Sequence, residues 1–193
     1  MYDPEQEKIL LAAAQAGDRD AFGTLYDALL PGLYGYVRAR IPSDPEAEDV
    51  VSEVILSVVK KLRDFRWRYP GSFRGWVFQI ARRELVDFYR QNGSLTASMD
   101  EAHESLPDPL PDPETWALRG EDRADLLAMV SRLSERKQEV VMLRYFGGLR
   151  NTEIAAVLDL DERTVAAHIS RALDELQSGL AREDVNNKEK NHV

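Results

Sequence analysis

The sequence predicts an all-α chain: two small helical domains joined by an acidic, proline-rich linker, the second domain built on a helix-turn-helix. Three observations carry this. Apolar residues recur at helical spacing through residues 5–90 and again from 117 to 178. Residues 92–115 interrupt them with four prolines, five acidic side chains before Glu114 and few apolar groups. That composition buries too little surface to offset the entropy of ordering. No stretch has the alternation or β-branched runs of a strand.

In the first half, EQEKILLAAAQA (5–16) places Ile9, Leu10, Ala13 and Ala14 in helical spacing before Gly17-Asp18 interrupts. Asp20 is a candidate cap for a second helix carrying Phe22, Leu25, Tyr26, Leu29 and Leu30. Pro31-Gly32 marks either a kink or a new helix start, after which Leu33, Tyr36, Val37 and Ile41 resume the pattern. Ser43 or Asp44 caps the helix expected over 45–63, with Pro45 allowed in its first turn. Acidic Glu46, Glu48 and Asp49 precede basic Lys60, Lys61 and Arg63, the order that the helix dipole favours. DFRWRYPGS (64–72) reads as a loop on its Pro70-Gly71 signal, and 73–90 as a helix packing through Phe73, Trp76, Val77, Ile80, Ala81, Leu85 and Phe88.

Beyond the linker, helices are expected near 117–133, 135–145, 151–158 and 162–178. The last two, with the turn Asp159-Leu160-Asp161 between them, have helix-turn-helix form. Asp161 is placed to cap the final helix, which buries Val165, Ile169, Ala172, Leu173 and Leu176. Arg163, Thr164, Ala167, His168 and Arg171 then fall on faces open to DNA, and Arg150 and Arg163 lie near helix starts as phosphate contacts. A helical packing module without a DNA role remains a second reading of this segment alone. His168 reads as an outward or half-buried helix residue, because neither His103 nor His192 can join it in a catalytic or metal site. The tail 181–193 lacks apolar periodicity and is expected to be disordered.

Charge narrows the function classes. The net charge of −9 argues against a general phosphate binder, but residues 60–90 carry nine basic against three acidic side chains, interleaved with aromatics. A solvated helix face is the bland alternative for that stripe. Cysteine is absent, which removes disulfides, thiolate metal sites and a cysteine nucleophile. No run of about 18 apolar residues predicts a membrane span, and the acidic start MYDPEQEK is unlike a signal peptide. A cytoplasmic protein without cofactor or metal is expected, and not an enzyme, since no nucleophile–base pair or phosphate-binding glycine loop is present.

AEDVVSEVILSVVKKL followed by GSFRGWVFQIARRELVDFYRQ resembles sigma region 2, and LSRLSERKQEVVMLRYFGGLRNTEIAAVLDLDERTVAAHISRALDEL resembles sigma region 4. Two modules in this order, with nothing domain-sized between them, are similar to the extracytoplasmic-function (group 4) subfamily of the sigma-70 family of bacterial RNA polymerase sigma factors. The resemblance covers about residues 7–178 and divides the chain into region 2 (1–91), a flexible linker (92–116), region 4 (117–180) and a tail.

The resemblance implies binding roles. Asp49, Val50, Glu53 and Leu56 match the part that grips the clamp helices of the largest subunit of core RNA polymerase. A carboxylate row beside apolar groups suits a protein partner better than phosphate. Phe65, Arg66, Trp67, Arg68, Tyr69 and Arg74 match the part that recognises and melts the minus-ten element, with Arg82 and Arg83 following the backbone upstream. Melted bases bind by stacking on aromatics and by phosphate pairing to arginines, at about 1–3 kcal/mol per stacked base. Region 4 places the final helix in the major groove of the minus-thirty-five element, so promoter DNA is engaged both double-stranded and melted. A cognate anti-sigma factor is a further implied partner.

The chain departs from the family pattern in its last helix. Ala166 and His168 stand where basic residues are common, and Leu173, Asp174 and Glu175 replace basic residues of the later turns. Phosphate attraction there is weakened and depends on tethering through region 2. Two other readings remain: a helix-turn-helix regulator, and a sigma-like protein that binds polymerase without promoter activity. The first predicts an N-terminal receiver or ligand domain, which residues 1–91 do not resemble. The acidic linker reads equally as a nucleic-acid mimic near the RNA exit channel or as a passive tether.

Overall fold

The computed structural model describes residues 3–92 and 126–190, with side chains through Ser178. The expected linker (Asn92 apart), the first part of the helix expected over 117–133, His103 and His192 lie outside the described residues. Among the described residues the architecture is all helical, without a strand, in two helical regions.

Helix α1 (Pro4–Gln15) starts with Pro at its first position and Glu5 and Glu7 in its first turn. Helix α2 (Arg19–Arg38) is capped by Asp18, not Asp20: the Asp18 carboxylate accepts hydrogen bonds from the backbone nitrogens of Asp20 and Ala21. Gly17 takes the left-handed backbone that ends the preceding turn, which leaves Asp18 extended and free to cap. The helix continues through Pro31. The Asp27 carbonyl that loses its amide partner there belongs to an exposed residue, so the gap faces outward.

Helix α3 (Asp44–Lys61) starts within a residue of the expected place, but neither expected cap forms: Ser43 makes no side-chain cap hydrogen bond, and the Asp44 carboxylate instead accepts from Tyr34 and Arg38 of α2. A 3-10 turn (Leu62–Asp64) leads into the loop before α4 (Ser72–Gln91). Gln15 of α1 donates to the carbonyls of Leu62 and Phe65 at 2.9 and 2.8 Å, fixing that loop from below. The core of this half joins Leu25, Leu33 and Val37 of α2, Val54 and Val58 of α3, and Phe73, Val77 and Ile80 of α4.

Residues 126–130 are helical and lead to α5 (Glu135–Val141), where the expected 135–145 helix widens into a π-helical turn at Met142–Phe146. Helices α6 (Asn151–Leu158) and α7 (Glu162–Lys190) form the helix-turn-helix pair. Asp159 between them has φ 55°, a left-handed geometry that Asp tolerates better than most residues. Asp161 caps α7 as expected, accepting from the Thr164 amide at 2.8 Å and the Thr164 hydroxyl at 2.6 Å. Helix α7 runs on to Lys190, beyond the expected end near 178. The added stretch keeps helix-forming Ala, Arg, Glu and Lys.

Candidate nucleic-acid interface

The loop between the 3-10 turn and α4 divides its residues between core and surface. Arg66, Arg68 and Tyr69 are exposed. Phe65 is not: it is 8% exposed and packs 5.4 Å from the Phe73 ring and 4.9 Å from Trp76. The loop needs an apolar anchor between two helices, and Phe65 fills that place rather than offering a stacking face. Trp67 is half-buried, its indole N–H donating to Glu7 at 3.4 Å and its ring lying 5.4 Å from Lys8 Nζ. The Ser72 hydroxyl accepts from the Arg68 amide at 3.2 Å, and Gly71, at φ 85°, lets the chain turn into α4.

Of the α4 arginines, Arg83 is exposed, whereas Arg74 turns inward. Arg74 Nη2 donates to the Gly147 carbonyl at 2.6 Å, and its guanidinium lies 5.9 Å from the Phe78 ring. Burial pulls the Arg74 guanidinium below its ordinary pKa, only partly opposed by Glu153. Gly147 belongs to the C-terminal half, so this contact crosses between the two helical regions. The sequence reading did not foresee that seam.

The seam is extensive. Gln79 donates to the Ala156 carbonyl at 2.6 Å, and Arg150 to the Pro70 carbonyl at 3.2 Å. Gly32 and Gly35 let the π-helical turn approach α2. A Cβ on Gly32 would stand 2.5 Å from the Gly147 carbonyl oxygen, and one on Gly35 2.6 Å from that of Phe146. Glu139 of α5 enters the other half among Tyr36, Arg40 and Arg82. Burial pushes its carboxyl up, but Arg40, the Tyr36 hydroxyl and Arg82 outweigh that and hold it below the ordinary range. Glu153, 2% exposed, accepts from the Arg150 amide at 2.7 Å and from its guanidinium at 3.2 Å. A cleft of about 310 Å³ runs along this seam, lined in part by Glu7, Leu25, Phe73, Arg74, Arg150 and Glu153.

On α7, Thr164, His168 and Arg171 share one stripe at i, i+4 and i+7, with Arg163 exposed beside its start. Ala167 is 5% exposed, which takes it out of the candidate contact set. Helix α7 packs against both α5 and α6, so its covered arc is wider than the single stripe read from the sequence. On α3, Asp49, Glu53 and Leu56 line one exposed face, joined by Val59, which the sequence reading missed. Val50 is 6% exposed and belongs to the core stripe with Val54 and Val58, so it cannot reach a partner directly. Among the described residues no cluster of three or more His, Asp or Glu could hold a metal, and no helix is long and apolar enough to cross a membrane.

Two family models match: Sigma-70 region 2 over residues 25–94, and Sigma-70, region 4 over residues 123–176. The chain belongs to the sigma-70 family of RNA polymerase sigma factors, in its extracytoplasmic-function group. It is 33% identical to the sigma factor BldN of Streptomyces coelicolor over 169 residues, which are 85% of this chain but only 62% of BldN. It is 29% identical to the RNA polymerase sigma-H factor of Pseudomonas aeruginosa, over 93% of this chain and 96% of that one. The fold is similar to that of CnrH of Cupriavidus metallidurans, solved in complex with the cytosolic domain of CnrY. That likeness has a TM-score of 0.68 at 25% identity, covering 92% of this chain and 98% of CnrH. The seam therefore lies between sigma region 2 (α2–α4) and sigma region 4 (α5–α7).

Proposed function

We propose that this sigma factor binds core RNA polymerase through α3 of region 2 and directs it to promoters, opening the minus-ten element without any chemistry of its own. The observation that carries the reading is the exposed, basic and aromatic loop of Arg66, Arg68 and Tyr69 at the start of α4, inside the segment matched by the region 2 model. One aromatic and two cations in so short a run suit unstacked bases and their phosphates. Asp49, Glu53, Leu56 and Val59 form the surface for the clamp helices of the largest polymerase subunit. In region 4, Arg163, Thr164, His168 and Arg171 face the minus-thirty-five element.

Arg74 and Arg150 support a second state of the molecule. In the closed seam the Nε atoms of both are buried without a protein hydrogen-bond partner, so neither guanidinium has all its donors met there. Separation of the two regions releases both arginines for DNA. We further propose a cognate anti-sigma partner, in line with the likeness to CnrH and its CnrY complex.

Run-off transcription by purified core polymerase on genomic promoter fragments, with and without the protein, tests this reading. Specific transcripts that disappear with Arg66→Ala, Arg68→Ala and Tyr69→Ala combined are the expected result. Tight core binding without transcripts would instead make it a sequestering protein, and absence of core binding would overturn the assignment.

A further inference from the structure

The seam holds one group whose surroundings amount to an oxyanion site. Glu139 Oε1 accepts a hydrogen bond from the Tyr36 hydroxyl at 2.7 Å and lies 3.6 Å from Arg82 Nε, while Oε2 accepts from Arg40 Nη2 at 2.5 Å. The two donors and the Arg82 cation all belong to region 2, and only the carboxylate comes from region 4. The donors are braced by their own module. The Arg40 guanidinium lies 4.0 Å over the Tyr36 ring, that ring meets Phe78 edge-on at 5.3 Å, and the Tyr89 hydroxyl donates to the Arg40 carbonyl at 2.9 Å. The side chains of Arg40 and Glu139 are 15% and 17% exposed, so the ion pair is shielded from solvent.

A single negative charge spread over two oxygens, each met by its own cation, also describes the non-bridging oxygens of a phosphodiester. When region 4 leaves, Glu139 goes with it, and the Arg40 and Arg82 guanidiniums and the Tyr36 hydroxyl stay together on region 2. We propose that Tyr36, Arg40 and Arg82 form a phosphate-binding cradle for the DNA backbone, and that Glu139 occupies it as an internal phosphate mimic while regions 2 and 4 are closed on each other. This rests on the promoter-binding reading above. DNA is favoured over an acidic peptide by continuity: exposed Arg83 follows Arg82 on α4, and the same helix starts at the loop bearing Arg66 and Arg68. Residues 60–90 carry nine basic against three acidic side chains, a surface along which successive phosphates can lie. The seam and the DNA then compete for the same donors.

The test uses the full chain and a fluorescein-labelled 20-nucleotide DNA of mixed sequence, single-stranded and duplex, titrated by anisotropy between 50 and 200 mM salt. Glu139→Gln keeps the side-chain shape and removes the charge, and it is expected to bind roughly tenfold tighter than the parent. Gly35→Val opens the same seam from the backbone side, leaves the cradle intact and should give the same gain. Adding Arg40→Gln to either variant should abolish the gain and lower the salt slope by about one. Because the chain has no cysteine, dyes on Ser52→Cys and Glu135→Cys report opening by energy transfer. Opening without gain in DNA affinity, or a gain that survives Arg40→Gln, overturns the cradle. So does a gain seen with a poly-glutamate peptide and not with DNA. If the parent drives run-off transcription while all variants bind DNA alike, the cradle fails and the promoter reading stands. Absence of transcription removes the reading beneath it.

Discussion

Arg74 of region 2 donates to the Gly147 carbonyl of region 4 at 2.6 Å, and a Cβ on Gly32 would stand 2.5 Å from that same oxygen. No rotamer change can relieve the second contact, because a Cβ is fixed to the α2 backbone and the oxygen it meets is itself backbone. Gly32→Val is therefore expected to part the two regions without unfolding either. Small-angle scattering should show a larger radius of gyration at unchanged helix content, and an unchanged radius would mean that the seam yields locally.

Gly71 is constrained twice. Its φ of 85° suits glycine, and an added Cβ would stand 2.3 Å from Glu153 Oε1 and 2.6 Å from Arg150 Nη2. Gly71→Ala is expected to cost about 1–2 kcal/mol from the left-handed backbone alone, with further loss from the displaced Glu153. Denaturant unfolding of the full chain measures it, and a change under 0.5 kcal/mol, roughly the scatter of surface substitutions, would contradict the account.

Two aromatics of one loop should separate by assay. Phe65 lies in the core against Phe73 and Trp76, so Phe65→Ala is expected to destabilise by about 3–5 kcal/mol. Tyr69 is exposed, so Tyr69→Ala should change stability by no more than about 0.5 kcal/mol while impairing open-complex formation. Thermal melts and permanganate footprinting of the melted region check the pair together.

Closure of the seam should weaken in acid. The Glu139 carboxyl sits below its ordinary value of 4.5, because Arg40, Tyr36 and Arg82 outweigh the effect of burial. A depressed carboxylate contributes stability that is fully present above its open-state pKa and is lost as pH falls through the closed-state one. Energy transfer between the two regions should hold from pH 7 to about 5 and fall below about 4.5. Asp44 and Asp161 also sit below the ordinary range, held by Arg38 and by Thr164 respectively, but each is paired within its own region. Glu139→Gln should therefore flatten the interdomain signal while leaving those two in place.

The helices and the helix-turn-helix were legible because their signals are local: Asp161 caps α7 as its position predicts, and the apolar stripes fall where the periodicity puts them. Family likeness assigns a segment to a partner but not a face, which is why Val50 and Phe65 entered the candidate sets although both are buried; Ala167 entered by its place on the last helix, whose second packing partner the sequence did not show. For Val50 the remedy was in the sequence, since Val50, Val54 and Val58 form one stripe at i, i+4 and i+8. The seam was not legible. Glu139 and Arg82 are far apart in sequence, and each alone reads as part of a solvated face. Gly32 and Gly35 of α2 and Gly75 of α4 were its sequence signal, because interior helix glycines that cost stability usually mark a close approach.

The α3 surface gives the last separation between folding and binding. Leu56 and Val59 are 48% and 50% exposed, flanked by the exposed carboxylates of Asp49 and Glu53, and nothing in the closed molecule covers them among the described residues. Removing them should therefore leave the fold intact. Leu56→Lys with Val59→Lys is expected to shift stability by no more than about 0.5 kcal/mol per site. An interface that loses two apolar anchors and gains two buried cations should weaken by at least roughly a hundredfold. Core polymerase pull-down and competition against the parent protein measure the loss. Retained affinity would move the polymerase contact to another face of region 2, with the exposed Val86 of α4 the next apolar residue to test.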